Sequence, residues 1–294
     1  MSLSSQLGIG FMRTLAHVPF PLVRGFGALL GRVLHTVAAS RRRVVDTNLA
    51  LCFPEKSAAE RRRIARETFV YVAQSWLDRS WLWHAPEDIV ARRLTVKGSA
   101  REIDEIANGS EPMILFAPHF YGLDAAATAL TMHTARPSTT IYTTQRDPMV
   151  DAWIREGRQR FGNVATLNRV DGIKPIVAGL RKGGLLYLLP DMDFGRDQTV
   201  FVPFYGVTAA TVPSLSRFAR LGRAKVVPVV SKLTEAGYEI EVLPAWENFP
   251  SDDAVADTAL MNERLQGYID TMPSQYYWVH RRFKTRPDGE APVY

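Results

Sequence analysis

The chain has 294 residues, 46% of them hydrophobic and 22% charged. That is enough for one large domain or two small ones, and it excludes a disordered, collagen-like or low-complexity protein. Cys52 is the single cysteine, so an internal disulfide and a cysteine-built zinc site are both excluded, and a reducing compartment is expected. The formal net charge is +6, and its distribution says more than its size. No acidic residue precedes Asp46, whereas Arg13, Arg24, Arg32 and the run Arg41–Arg43 do, and a second basic run covers His280–Arg286.

Residues 3–39 are rich in Leu, Val, Phe, Ala and Gly, but Arg13, Arg24 and Arg32 interrupt any apolar stretch of the ~18 residues a membrane span needs. The first arginine lies inside the apolar stretch rather than before it, which argues against a cleavable signal peptide. Pro19 and Pro21 should break the segment into two helices. In the second, Arg24 and Arg32 fall about 80° apart on a helical wheel. This pattern fits helices lying in a membrane interface with arginines reaching the headgroups, and residues 1–45 are read as a membrane-associating helical arm. An amphipathic helix packed on the body is the alternative.

Ser57 with Glu60 reads as a capping box opening a helix through about Trp83, with Phe69, Val72, Trp76 and Leu77 near helical spacing. From about residue 110 short apolar runs recur at Pro112–Ala117, Thr139–Thr143, Leu185–Leu189, Lys225–Val230 and Tyr238–Leu243. Helical stretches lie between most of them: Asp124–Met132, Met149–Phe161, Ile173–Arg181 and Val212–Leu221. Alternating strands and helices predict an α/β domain over residues 46–294 with a largely parallel central sheet flanked by helices. Tyr238–Leu243 alternates in polarity, as a half-exposed edge strand would. A last helix, about Val255–Thr271, precedes the basic tail.

One histidine is placed for catalysis. In Met113-Ile-Leu-Phe-Ala-Pro-His119-Phe-Tyr-Gly-Leu-Asp124 a buried strand is followed by His119, and Asp124 comes five residues later. On one continuous helix that spacing rotates about 140°, so the side chains meet only if the chain turns, and Pro118 and Gly122 supply a turn. Asp124, ionised at a helix N-terminus, can then accept from one ring nitrogen of His119 and leave the other as a base. This is the orienting half of a catalytic triad, with a substrate hydroxyl as nucleophile. The plainer possibility is that Asp124 only caps the helix. The carboxyl end of a strand is where open α/β sheets place ligands, and on context alone both readings stand.

H-x4-D after a short apolar strand resembles the signature of glycerolipid and lysophospholipid acyltransferases. The longer text is similar to one branch, the late acyltransferases of lipid A biosynthesis in Gram-negative bacteria. The matching blocks are Asn48–Glu55, Ala117–Asp124, Leu167–Arg169, Leu189–Gly195, Val200–Gly206 with Ala209–Thr211, and Gln275-Tyr-Tyr-Trp-Val-His280-Arg-Arg-Phe-Lys-Thr-Arg286. The resemblance covers about residues 45–294. It implies acyl transfer from an acyl-carrier-protein thioester to the hydroxyl of a 3-hydroxyacyl chain on a Kdo-bearing lipid A precursor. It also implies attachment at the cytoplasmic face of the bacterial inner membrane, with membrane lipids as neighbours. His119 would take the hydroxyl proton, and no metal or organic cofactor is required. The Phe-Tyr-Gly-Leu stretch after His119 departs from related sequences, often Gly or Asn next to the His, and leaves the pocket wall less defined than the dyad.

The resemblance further marks Arg169 as a phosphate binder or active-site support, and Arg146 is a second anion-binding candidate. Asp191-Met-Asp193 with Gly195 falls where the family shapes the wall for acceptor and oxyanion, Gly195 allowing close backbone approach. The same D-x-D also fits a metal-dependent glycosyltransferase, the rival from another reaction class. Acyltransfer to a lysophospholipid or another glycolipid, and a non-catalytic membrane-surface protein, complete the alternatives. In the basic tail, Trp278 and Phe283 interleave with the charges, so part of it should pack on the body. Nucleic acid is not an expected partner, since no binding module is visible.

Overall fold

The computed structural model describes residues 3–294, leaving out the side chain of Arg169. Five helices come first: α1 Leu3–Leu15, α2 Phe20–Val37, α3 Ala39–Cys52, α4 Ala58–His84 and the short α5 Glu87–Ala91. Pro19 is the residue before α2 and Pro21 lies in its first turn, which ends α1 as expected. The Ser57 box opens α4: the Ser57 hydroxyl accepts from the Glu60 amide at 3.2 Å, and the Ser57 amide donates to Glu60 Oε2 at 2.8 Å.

The remaining elements alternate: β1 Leu94–Gly98, α6 Ala100–Asn108, β2 Met113–Phe116, α7 Leu123–Thr131, β3 Pro137–Tyr142, α8 Pro148–Arg158 and β4 Asn163–Asn168. They continue with α9 Lys174–Arg181, β5 Leu185–Leu188, the hairpin β6 Val200–Phe204 and β7 Val207–Thr211, α10 Ser214–Gly222, β8 Lys225–Leu233, β9 Tyr238–Val242 and α11 Ala254–Thr271. Seven strands form one sheet in the order β1-β9-β8-β2-β5-β3-β4, parallel throughout except for β8 with β9. This is the expected α/β architecture with a largely parallel sheet flanked by helices.

The central strands are buried on both faces, as parallel strands between helices must be. Along β2, Ile114 and Phe116 join the core on one face, and Met113 and Leu115 join the core on the other. Each such side chain contributes roughly 1.5–3 kcal/mol by leaving water. The expected edge strand is not at the edge: β9 lies between β1 and β8, and β1 is terminal. Its alternation arises because one face is wet, where Glu239 reaches Lys97 of β1 at 2.8 Å.

The N-terminal helices are docked, and the structure corrects the expected role of Arg24. That side chain is buried, donating to Asp78 from Nε at 3.1 Å and to the Thr234 and Gly237 carbonyls at 3.3 and 3.2 Å. It ties α2 to α4 and to the β8–β9 turn instead of reaching headgroups. Gly27 and Gly31, one turn apart, let α2 lie directly on α4; a Cβ at Gly31 would stand 2.4 Å from the Val70 Cα. Helix α3 runs unbroken through position 45, where the arm was expected to end. The opposite side of these helices faces out. Leu3, Leu7 and Phe11 of α1 and Leu22, Phe26, Leu29, Val33 and Val37 of α2 are 46–69% exposed, in stripes at helical spacing. Among the described residues no single helix is long and apolar enough to cross a membrane; α2 and α3 together are, but they meet at 90°.

At the other end of the chain Trp278 and Phe283 are fully buried, as their interleaving predicted. Arg282 is buried with them and donates to the Ala210 carbonyl at 2.8 Å and to the Thr211 hydroxyl at 2.7 Å.

Candidate active site

Strands β2 and β5 are neighbours in parallel register, with Phe116 opposite Leu188. Counting three residues beyond each puts His119 opposite Asp191, at the carboxyl end of the sheet. The two side chains meet there: His119 Nδ1 lies 2.7 Å from Asp191 Oδ1, and the His119 amide donates to Asp191 Oδ2 at 3.0 Å. Tyr276 donates its hydroxyl to the same Oδ2 at 2.9 Å. Asp191 has no exposed surface. Burial alone would push its carboxyl up, but the charge of His119 when protonated and the hydrogen bonds from His119 and Tyr276 hold it below the usual carboxylate range. The His119 ring keeps some exposure and lines a cavity, and its Nε2 has no partner among the described residues.

The expected His119–Asp124 bond is not formed. The chain does turn after His119, with the Leu123 amide bonded to the Phe120 carbonyl at 3.1 Å, and Gly122 is so close to Ser231 that a Cβ would sit 2.8 Å from its Cβ. Asp124 then enters the first turn of α7, where two arginines take its carboxylate. Arg79 of α4 reaches Oδ2 from Nε at 2.9 Å and from Nη2 at 2.7 Å, and Arg158 of α8 reaches Oδ1 at 3.0 Å. Burial works against the Asp124 charge, and Arg158 and Arg79 outweigh it, holding the carboxyl below its ordinary range. The cluster therefore carries one net positive charge, and all three residues line the same cavity as His119. Arg79 Nη1 is buried there without a partner among the described residues, as is the Tyr121 hydroxyl.

Asp193 is equally spoken for. Its Oδ1 accepts from the Thr285 hydroxyl at 2.8 Å and the Gly195 amide at 2.9 Å, and its Oδ2 accepts from the Thr285 amide at 2.7 Å. Asp191 and Asp193 are thus internal struts, while Leu189, Met192 and Phe194 of the same block line the cavity where the wall was expected. No group of three or more potential metal ligands occurs among the described residues, and the D-x-D metal reading has no geometry behind it. Gly195 has φ +103, which favours glycine, while nothing lies within 4 Å of the place a Cβ would take, so the close approach expected there is absent. Arg146 is exposed on the loop before α8, and the side chain of Arg169 lies outside the described residues.

The cavity measures about 1050 Å³, at the top of the range for small-molecule sites. On one face of the sheet it is lined by Leu115, Ala127, Leu130, Ile154 and Val164, and on the other by Ile176, Phe218 and Leu221. His119, Tyr277 and His280 line it as well. An apolar chamber with an imidazole–carboxylate pair beside it suits chemistry at the head of a hydrocarbon chain.

Arg79, Arg158, Tyr276 and His280 were not singled out from the sequence. The register of β2 and β5 points to none of these four; had it been known, it would have joined His119 to Asp191, the third residue past each strand end.

Fold and site define an α/β enzyme with a histidine–carboxylate pair beside an apolar chamber. Residues 3–285 match the family described as bacterial lipid A biosynthesis acyltransferase, and the chain belongs to it and is an acyltransferase. A lipid A biosynthesis acyltransferase of Haemophilus influenzae is 35% identical over 97% of this chain and 88% of its own length. The lipid A biosynthesis lauroyltransferase of Escherichia coli is 33% identical, over 98% and 94%. The myristoyltransferase of the same organism is 30% identical, over 98% and 89%.

Proposed function

We propose that the protein transfers a fatty acyl chain from an acyl-carrier-protein thioester to the hydroxyl of a 3-hydroxyacyl chain on a Kdo-bearing lipid A precursor. The observation that carries this reading is a histidine held by a fully buried carboxylate beside a largely apolar chamber. Asp191, accepting from Nδ1, keeps the proton on that nitrogen and the lone pair on Nε2. His119 Nε2 takes the proton of the acceptor hydroxyl as the oxygen attacks the thioester carbonyl carbon. Collapse of the tetrahedral intermediate expels the thiolate, which recovers the proton from the imidazolium. The chamber holds acyl chain.

Asp124 fixes Arg79 and Arg158 at the cavity wall. Arg146 and Arg169 each follow a cavity-lining residue, Gln145 and Asn168, and serve as binders of the precursor's anionic groups. The proposed steps call for no metal. The exposed apolar stripes of α1 and α2 support attachment to the cytoplasmic face of the inner membrane, the stripes down and Arg13 and Arg32 at headgroup level.

The test uses protein in detergent, a Kdo-bearing tetraacyl precursor, and acyl carrier protein charged with chains of several lengths, with products read by mass. One added acyl chain, lost in His119→Ala, is the expected result. No product with any chain length would reject lipid A as acceptor and turn the search to lysophospholipids and other glycolipids.

A further inference from the structure

The reaction just proposed creates an oxyanion, and His119 and Asp191 offer it no donor. A second imidazole lines the same chamber. His280 follows the buried Trp278, and its backbone is pinned: Asn48 Nδ2 donates to the Trp278 carbonyl at 2.7 Å and to the His280 carbonyl at 2.8 Å. Its ring is pinned as well, because Nε2 accepts the backbone N–H of Asp193 at 3.2 Å. That amide cannot move freely, since the Asp193 side chain is fastened to Thr285 and Gly195.

A backbone amide only donates, so Nε2 must present its lone pair and the neutral ring must carry its proton on Nδ1. Among the described residues nothing accepts that proton. Burial, with the charges of His119 and Arg282, pushes His280 down to about 4. At neutral pH it is therefore an uncharged donor that does not compete with His119 for the hydroxyl proton. An uncharged, fixed N–H on a residue that lines the same cavity as the base is the type of group that stabilises developing negative charge without reorganising.

Resting on the acyl-transfer reading above, we propose that His280 is a catalytic residue whose Nδ1–H donates to the thioester carbonyl oxygen as it becomes the oxyanion. As the acceptor oxygen bonds to the carbonyl carbon, the C=O π pair moves onto oxygen, where Nδ1–H holds it. When the C–S bond breaks, the pair returns to the carbonyl and the thiolate takes the proton from His119. His280 gains and loses nothing. The D-x-D block then has a purpose without a metal: Asp191 sets the tautomer of His119, and the backbone of Asp193 sets that of His280.

The test compares His280→Asn with His280→Leu. The two replacements have nearly the same shape, and both give up the bond to Asp193, but only Asn keeps a donor close to the Nδ1 position. With wild-type transfer measured in parallel, His280→Leu is expected to lose 10²- to 10³-fold in kcat with little change in KM for the donor, about the effect of deleting one oxyanion donor. His280→Asn should recover at least tenfold of that. Equal losses in the two variants overturn the proposal, whereas a wild type that transfers nothing overturns the acyl-transfer reading instead. On the wild-type protein itself, the Nδ1–H signal of His280 in NMR should move downfield when a ketone analogue of the thioester binds. A signal that stays in place overturns the proposal even if both variants fail to fold.

Discussion

The two aspartates near His119 make a decisive pair of perturbations, because the structure gives them different partners. In Asp191→Asn the amide oxygen must stay at the Oδ2 position, where it accepts two donors, the His119 amide at 3.0 Å and the Tyr276 hydroxyl at 2.9 Å. The amide NH₂ is then forced to the Oδ1 position, 2.7 Å from His119 Nδ1. Facing a donor, Nδ1 must become the acceptor, the ring proton moves to Nε2, and the base is lost while the backbone hydrogen bond survives. Replacing a triad carboxylate by its amide costs roughly 10⁴ in kcat, about 5.4 kcal/mol at 1.36 kcal/mol per tenfold. Asp124→Asn acts elsewhere, removing the single negative charge that Arg79 and Arg158 share. Breaking a buried ion pair costs about 3–5 kcal/mol. The arginine side chains are 17% and 24% exposed, which favours the lower end, about 3 kcal/mol, or roughly 6 °C in Tm for a chain of this size. Steady-state acyl transfer and thermal melting on both variants check the assignment. The reasoning fails if Asp191→Asn keeps kcat within tenfold of wild type. It fails equally if Asp124→Asn loses as much activity as Asp191→Asn with an unchanged Tm.

Arg24→Met should lower Tm by roughly 6–10 °C, because it strands the buried Asp78 at a cost of about 3–5 kcal/mol, and a melting curve like that of wild type would remove the ion pair from the list of supports. The triple change Leu22→Glu, Phe26→Glu and Leu29→Glu touches only exposed positions, so it should release the protein from the membrane pellet with its Tm unchanged; sedimentation with the membranes as before would reject the stripe as the attachment face. Stability should also fall on acidification. His280 is pushed from 6.5 to about 4, so within that window the unfolded chain binds a proton that the folded chain does not, and stability drops as pH falls through it. Asp124 and Asp191, held low, add a second loss only as pH falls below the unfolded carboxylate value of about 3.9. Tm measured between about pH 7 and 4.5 checks the first effect, and a slope that His280→Asn fails to flatten speaks against it. Finally, EDTA should leave transfer unaffected, and an activity restored only by Mg²⁺ or Mn²⁺ would revive the glycosyl-transfer alternative.

Fold class was legible because the signal is local. Runs such as Met113–Phe116 and Leu185–Leu188 are apolar at every position, as strands covered on both faces must be, and the intervening helices announce themselves by period. What escaped notice was short or polar. β1, Leu94–Gly98, has the burial pattern of a partly wet strand. Strand order escaped as well. Tyr238–Val242 looked like an edge because its glutamates face water, but a wet face and a free edge give the same alternation.

The same limit separated the histidine from its true partner. H-x4-D is a contact proposed along the chain, and along the chain the nearest acid to His119 is Asp124. The carboxylate it uses is 72 residues away and becomes adjacent only through the pairing of β2 with β5. Arg24 repeats the lesson for charge. Counted within the first 45 residues it has no acidic neighbour and reads as a headgroup contact, but its counter-ion, Asp78, comes 54 residues later on α4. Sequence distance misjudged both residues for one reason. A buried ionised group must be matched by whatever the fold brings to it, since desolvation leaves it no alternative, and the partner can sit on any element that packs against its own. The exposed stripe of α2 carries no such obligation to a distant residue, and it was the part of the N-terminus that local periodicity could read.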